Sequence, residues 1–405
     1  MAGGTRPAQY PTMDRHLRAA PNSLDVPRTS NSAILATMVS RTVLCALAIS
    51  SGMAFFAAAP ALADDSAASI AAGGLVARRE TRIVMAKEVL RISPNKVLVD
   101  YDFRNDTDQD VTTEVAFPVP PYSYGPENPD ITDASFSDFK LLIDGKTVAY
   151  QAEAKATLEG KDVTAILTAD KIDIASFGHL KETDGNNPAI QTPDVARLPQ
   201  AEQQRLVKLG LFDAEDGWGL WTVHLQYHWT QTFPAHSTVH IQHQYTPVEG
   251  SELMLVDTLK NVSEHKQPTG DADSVKYGLE DMQRLEALCP DPSLLSGMIA
   301  RIDASSAGYG QYAHPHWVDF ILTSANTWKQ PIEDFTLIIE RGKPEEENTQ
   351  VSVSLCTPQN APVTKLDANT FQVHLSNFVP KDELRIGYFD VPLAAPAAAT
   401  PGQSH

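Results

Sequence analysis

The chain has 405 residues, with 32 basic against 51 acidic side chains and a formal charge of −19. So acidic a chain repels nucleic acid and anionic lipid. Its Lys and Arg are scattered rather than gathered on one stripe, which excludes a nucleic-acid footprint.

Residues 1–37 are polar, hold Pro7, Pro11, Pro21 and Pro27, and show no apolar period. They read as a disordered or mis-annotated extension, with Met38 as an alternative start. Arg41 then precedes an apolar run, Thr42 to Ala59, that closes on Pro60-Ala61-Leu62-Ala63. A basic flank, a short apolar core and an Ala-x-Ala site describe a secretory signal peptide over 38–63, cut between Ala63 and Asp64. The run is shorter than the roughly 20 residues of a span and is broken by Ser50, Ser51 and Gly52, so no stable membrane span is expected after cleavage. Cys45 suggests a lipoprotein, but the bulky Leu44 stands where a small residue belongs. Loss of 1–63 removes five Arg and two Asp and leaves a charge of −22.

Residues 64–77 are small and read as flexible. Strands follow at Thr81–Ile92, Val97–Arg104 and Val111–Phe117, and the last ends on Pro118. A loop rich in Pro and Gly runs from Tyr122 to Asp133. Phe139–Ile143 and Lys146–Ala152 flank Asp144-Gly145, a tight hairpin turn. Asp162 caps a short helix, and Pro199–Leu209 reads as another, closed by Gly210. The stretch 155–215 is therefore placed as a helical insertion. Trp221 to Tyr245 alternates strictly: Trp221, Val223, Leu225, Tyr227 and Trp229 on one row, and His224 and His228 on the other. With Phe233-Pro234-Ala235-His236 as its turn, it reads as a long β-hairpin, continued by a partner strand at Ser251–Val256. Asn261–Asp273 reads as a polar loop. Two helices follow, one with Leu279, Met282, Leu285 and Leu288, the other opening at Asp291-Pro292. Strands return at Trp317–Thr323, Phe335–Glu340, Val351–Cys356, Thr370–Leu375 and Leu384–Phe389.

The reading is a mainly β protein. An antiparallel β-sandwich-like domain spans 64–262, with its helical insertion at 155–215. A C-terminal α+β portion, 263–393, carries a helical pair and strands that either complete the core or make a second β domain. Residues 394–405 form a disordered Ala-Pro tail.

Several segments resemble an exported bacterial family known as domain of unknown function 4424. They are Ala72-Gly73-Gly74-Leu75, Leu90-Arg91-Ile92-Ser93-Pro94, Tyr101-Asp102-Phe103-Arg104-Asn105-Asp106 and Val115-Ala116-Phe117-Pro118-Val119-Pro120. The others are Trp229 with Thr232-Phe233-Pro234-Ala235, His243-Gln244-Tyr245-Thr246-Pro247, and the run Leu322 to Ile332 through Trp328. The likeness covers nearly all of the mature chain. It implies an exported protein, brings no reaction, ligand or catalytic residue, and implies a paired Cys289 and Cys356. More loosely, Phe117-Pro118-Val119-Pro120 followed by Asp144-Gly145-Lys146 is similar to β-sandwich modules of secreted adhesive proteins, an analogy of fold alone.

Candidate chemistry is sparse. Cys289 and Cys356 remain after cleavage, and an exported chain meets an oxidising compartment, so a disulfide is expected. His224 and His228 are about 13 Å apart along one strand face, too far for one metal ion. The hairpin would place His228 diagonal to His240, without a third ligand. His314 and His316 share one side of an extended segment, with Asp319 as a third ligand. Each metal set competes with a plain polar sheet face. His243 falls on the apolar row and reads as a core histidine. No nucleophile elbow, zinc-protease motif or phosphate loop is present. Trp221 and Trp229 read as core. Tyr122, Tyr124 and Trp218 are the candidate binding surface. The expected role is a periplasmic or secreted protein without cofactor, which binds an envelope protein or glycan or supports envelope structure. The alternatives are a carboxylate-dependent hydrolase of envelope polymers and a periplasmic metal-binding protein.

Overall fold

The computed structural model describes residues 66–71, 74–123, 138–175, 197–214, 219–304, 312–343 and 349–392. The protein is mainly β. Among the described residues, one eight-stranded sheet runs in the order Thr364–Lys365, Thr370–Phe378, Ile332–Glu340, Ile83–Ser93, Lys96–Asn105, Ser237–Tyr245, Lys140–Ile143, Lys146–Thr147. A seven-stranded sheet runs Lys161–Asp162, Gln151–Leu158, Thr222–Phe233, Val111–Pro118, Ser66–Ala71, Gly74–Ala77, and Tyr122–Ser123 also pairs with Thr222–Phe233. Among the described residues pairing is antiparallel except between Ile332–Glu340 and Ile83–Ser93, which lie parallel. That contact joins the C-terminal portion to the first strands within a single sheet.

The alternation in Trp221–Tyr245 sorts side chains as expected. Trp221, Val223, Leu225, Tyr227 and Trp229 are buried, and Val239, Ile241 and Tyr245 bury the matching row of the second strand. The two strands are not a hairpin, however. Thr222–Phe233 pairs with Val111–Pro118 and Gln151–Leu158, while Ser237–Tyr245 pairs with Lys96–Asn105 and Lys140–Ile143 in the other sheet. The reversal at Pro234-Ala235-His236 is an arch that crosses from sheet to sheet. Periodicity cannot tell these cases apart, because hairpin and arch bury the same alternate rows. Their inward rows meet in one core with Tyr101, Phe103, Phe117 and Phe320.

Polar atoms from the loop Asp106–Asp110 and the buried Asn105 hold the arch. Asn105 Nδ2 donates to the carbonyls of Gln109 and Phe233, both at 2.9 Å, while its Oδ1 accepts from the amide and hydroxyl of Thr107. The Ala235 amide donates to Asp110 Oδ1 and the His236 amide to the Thr107 carbonyl.

A four-stranded sheet, Glu249–Ser251, Pro315–Phe320, Leu384–Pro392, Thr349–Leu355, forms the middle layer of the C-terminal half. Val318, Phe320, Ile386 and Tyr388 join the main core, while Trp317, Phe389 and Val391 face the helices Val256–Glu264, Ala272–Ala287 and Pro292–Ala304. Gly250 permits this packing, since a Cβ there would lie 2.2 Å from the Trp317 ring. Cys289, just past helix Ala272–Ala287, is bonded to Cys356 at the end of the edge strand, with Cα atoms 5.1 Å apart. Beside the bond, Ser354 Oγ donates to the Leu288 carbonyl at 2.7 Å.

Other expectations need correction. The stretch read as flexible contains the strands Ser66–Ala71 and Gly74–Ala77. The insertion opens as strand: Gln151–Leu158 pairs with Thr222–His228, and among its described residues the α-helices are Thr164–Ala169 and Gln200–Lys208. Asp162 accepts from the Thr164 amide, and Gly210 follows the second helix at φ +72°. The strand expected at Ser251–Val256 is broken: Glu249–Ser251 and Met254–Leu255 are separate short strands. Helix Val256–Glu264 occupies part of the expected loop because Val256, Leu259 and Val262 form one apolar stripe. The Asp144-Gly145 turn is present, with φ of 48° and 76°.

Asn105→Ala removes four hydrogen bonds around the arch, one of them to the Phe233 carbonyl. A loss of about 1–3 kcal/mol in urea unfolding is expected; a change below about 0.5 kcal/mol would show that the arch is held otherwise.

Candidate functional site

The outward face of the seven-stranded sheet gathers the polar row of Thr222–Phe233 and its neighbours. Cross-strand register sets the contacts: His228 lies opposite Ala116 and Gln151, Thr230 opposite Glu114, and Gln226 opposite Glu153. Side chains that alternate to one face therefore meet laterally. Glu114 Oε1 is 2.6 Å from His228 Nδ1, and its Oε2 accepts from Thr230 Oγ1 at 2.9 Å. Glu153 Oε2 accepts from Gln226 Nε2 at 3.0 Å and from the Leu75 amide at 2.9 Å. His224 Nε2 lies 2.9 Å from Thr157 Oγ1. Burial pulls the His224 imidazolium down from its ordinary value, against the pull of Asp162.

Leu75 belongs to the strand Gly74–Ala77 at the edge of this sheet, yet its amide reaches Glu153 on the far side of Thr222–Phe233. Its buried side chain packs with Ala116 in a cluster separate from the main core. The segment is thus a strap laid over the face. His228 is buried although it belongs to the outward row; its side chain is 9% exposed and that of Glu114 14%. A carboxylate on Nδ1 fixes the ring of an imidazole, an arrangement shared by general bases and structural clasps. The carboxylate is also bound to Thr230, and the ring is buried.

The other candidate histidines are separated. His240 is on the opposite sheet, its Nδ1 2.9 Å from Asp102 and its Nε2 3.4 Å from Asp100. The arch removes the expected approach of His228 to His240. His314 is exposed, whereas His316 is buried against Glu249 and so does not share its surface. Asp319 points to the other face and binds Arg385 through both oxygens, at 2.6 and 2.7 Å. Among the described residues, no group of three or more His, Cys, Asp or Glu is placed to hold a metal ion. His243 is fully buried, ringed by Phe117, Phe139, Trp229 and Tyr101 at centroid distances of 4.8 to 5.6 Å.

Tyr122 is not part of an exposed surface. It is 4% exposed and its hydroxyl donates to the Ala175 carbonyl. Burial pushes the phenol far above its ordinary value. The short strand pairing with Thr222–Val223 turns this ring inward. Tyr124, Trp218, Ala63 and Asp64 lie outside the described residues. Sequence reasoning missed Glu114, Glu153 and Glu249, the carboxylates that hold the strap and the histidines. Leu75, in a segment singled out for its resemblance, was the available signal.

The fold and this face define a β-sandwich protein with a helical cap and an N-terminal strap. The chain belongs to the family described as Domain of unknown function (DUF4424), which matches residues 63–386. No curated protein matches it. Among solved structures it is similar to a Legionella pneumophila protein provisionally described as nutrient-binding, with 13% identity, a TM-score of 0.33, and coverage of 81% of this chain and 70% of that one.

Glu153→Ala removes the acceptor of the Leu75 amide. Hydrogen exchange at Leu75 is expected to rise about tenfold while amides of Thr222–Phe233 keep their protection; unchanged exchange at Leu75 would mean that the strap is held elsewhere.

Proposed function

We propose that this chain is an exported protein of the bacterial periplasm with a binding or envelope-structural role rather than a catalytic one. The observation that carries the export reading is the Cys289–Cys356 bond. Both cysteines are exposed, and such a bond persists only in an oxidising compartment. The signal-like segment before Asp64 agrees with it. Among the described residues, no helix is long and apolar enough to cross a membrane.

Support for a binding role comes from how side chains are used. His228, His240 and His316 each lie against a carboxylate of a neighbouring strand. Leu253, Leu255 and Tyr312 are 62%, 49% and 47% exposed, and Leu255 and Tyr312 are cross-strand partners on a two-stranded ribbon. Apolar strips of this kind suit an envelope protein partner.

Peptide mapping of periplasmic extract without reductant tests the export reading. The mature chain should begin at Asp64 with Cys289 linked to Cys356. Free thiols, or a chain retained in the cytoplasm, would refute it. A photo-cross-linker at Leu253 should capture an envelope protein in the same cells.

A further inference from the structure

Glu252 lies between the strand Glu249–Ser251 and the ribbon strand Met254–Leu255, and its amide donates to the Pro315 carbonyl at 3.0 Å. Its side chain faces helix Ala272–Ala287. Arg284 Nη1 donates to Glu252 Oε1 at 2.5 Å and stands 3.8 Å from Asp281 Oδ1, so one guanidinium nitrogen faces two carboxyl groups. Glu280, from the same helix, is 4.0 Å from Arg284 Nη2. Side-chain exposure is 14% for Glu252 and 24% for Asp281.

Glu252 Oε2 is buried, and among the described residues no donor reaches it. Asp281 is nonetheless its side-chain neighbour at hydrogen-bonding range. Two ionised carboxylates offer only acceptors, so oxygen against oxygen is stable only with a proton between them. We propose that Glu252 and Asp281 share one proton and, with Arg284, form a pH-dependent clasp that holds the cap helix Ala272–Ala287 to the ribbon. The clasp is firm in acid and loosens as the pH rises.

The surrounding charges are accounted for. On the strands behind, Glu249 and His316 are bound to each other; on the neighbouring helix, Lys260 is engaged by Asp303. The charged groups acting on Asp281 are Arg284 and Glu280, besides Glu252 itself. Burial raises both carboxyls of the pair above their ordinary values and outweighs the opposing pull of Arg284. A carboxyl raised in the folded state binds a proton that the unfolded chain has released. Its stabilisation is complete below the ordinary carboxylate range of about 4 and is lost as pH climbs through the raised value.

Glu252→Gln tests the clasp, because its amide imitates the protonated acid: nitrogen toward Asp281, oxygen toward Arg284. Melting temperatures of the mature wild-type chain and E252Q are compared from about pH 4 to 8, the span in which a raised carboxyl titrates. The curves should lie closest in acid and diverge with rising pH, E252Q becoming the more stable. Amide exchange of residues 272–287, compared at matched pH, should become severalfold faster in the wild type than in E252Q at the alkaline end. Parallel curves would overturn the proposal. Carbon-13 titration of the wild-type carboxyls needs no variant: one must titrate above the ordinary carboxylate range, and none doing so would also overturn it. Asp281→Asn should reproduce E252Q; a pH-independent loss of stability instead would mark an ordinary structural hydrogen bond.

Discussion

A chain that leaves one sheet for the other carries unpaired backbone groups through the rim of the core, and each must find a partner. At Phe233–Ser237 that demand is met by Asn105, whose amide serves the Phe233 carbonyl while its oxygen organises Thr107. Three separated segments meet around this point. Trp328 lies 4.6 Å from Phe103 and 6.1 Å from Phe233, and the two phenyl rings lie 5.7 Å apart. On the outward side Arg104 grips Glu333 with two bonds of 2.8 Å and Asp106 with a third, and Gln330 completes the ring on Glu333. The carboxyl of Glu333 is held below its ordinary range by that guanidinium. An aromatic plug inside and an ion cluster outside fix the crossing, and the crossing fixes which strands face each other.

The rest of the architecture follows from covering apolar rows. The four-stranded sheet has apolar residues on both faces, Val318 and Ile386 on one and Trp317 and Phe389 on the other, and so needs two covers. The sandwich core supplies one and the helices the other. The disulfide and the Ser354–Leu288 hydrogen bond lie together where the cap meets the edge strand. The bond closes a loop of 67 residues, which the chain-entropy account values at roughly 4 kcal/mol. The cap is also held by Met282, Leu285, Leu288 and Met298 against Trp317, so the bridge reinforces a contact that burial already makes.

What was legible in the sequence is what period two encodes. Trp221, Tyr227 and Trp229 turned inward as the alternation required, and the helices ending at Ala287 and opening at Pro292 followed their apolar stripes. Pairing partners were not legible, because register is set by residues more than a hundred positions away: Thr230 meets Glu114, and His240 meets Asp102. Three errors share that cause. The hairpin became an arch, His228 and His240 went to different sheets, and Gln151–Leu158 was drawn into a sheet despite its many Ala and charged residues. Tyr122 failed for a local reason, since a ring in a Pro-rich segment looks exposed until its strand pairing is known.

The same non-local register limits what the polar side chains can do. An imidazole with a carboxylate partner is a catalytic element only where a reacting group can come within about 3 Å of its free nitrogen. His228 is buried against Glu114 on its sheet face, and His316 is buried against Glu249, so the fold largely encloses both rings. The outer rows of the eight-stranded sheet are different in kind. Asp334, Lys87, Asp102 and His240 stand in register across four strands, with Lys87 between two carboxylates and Asp102 between Lys87 and the His240 ring. Cross-strand pairs of opposite charge, such as Lys87 with Asp102 and with Asp334, favour the register in which they meet. On this wide sheet the charged surface therefore helps specify the fold.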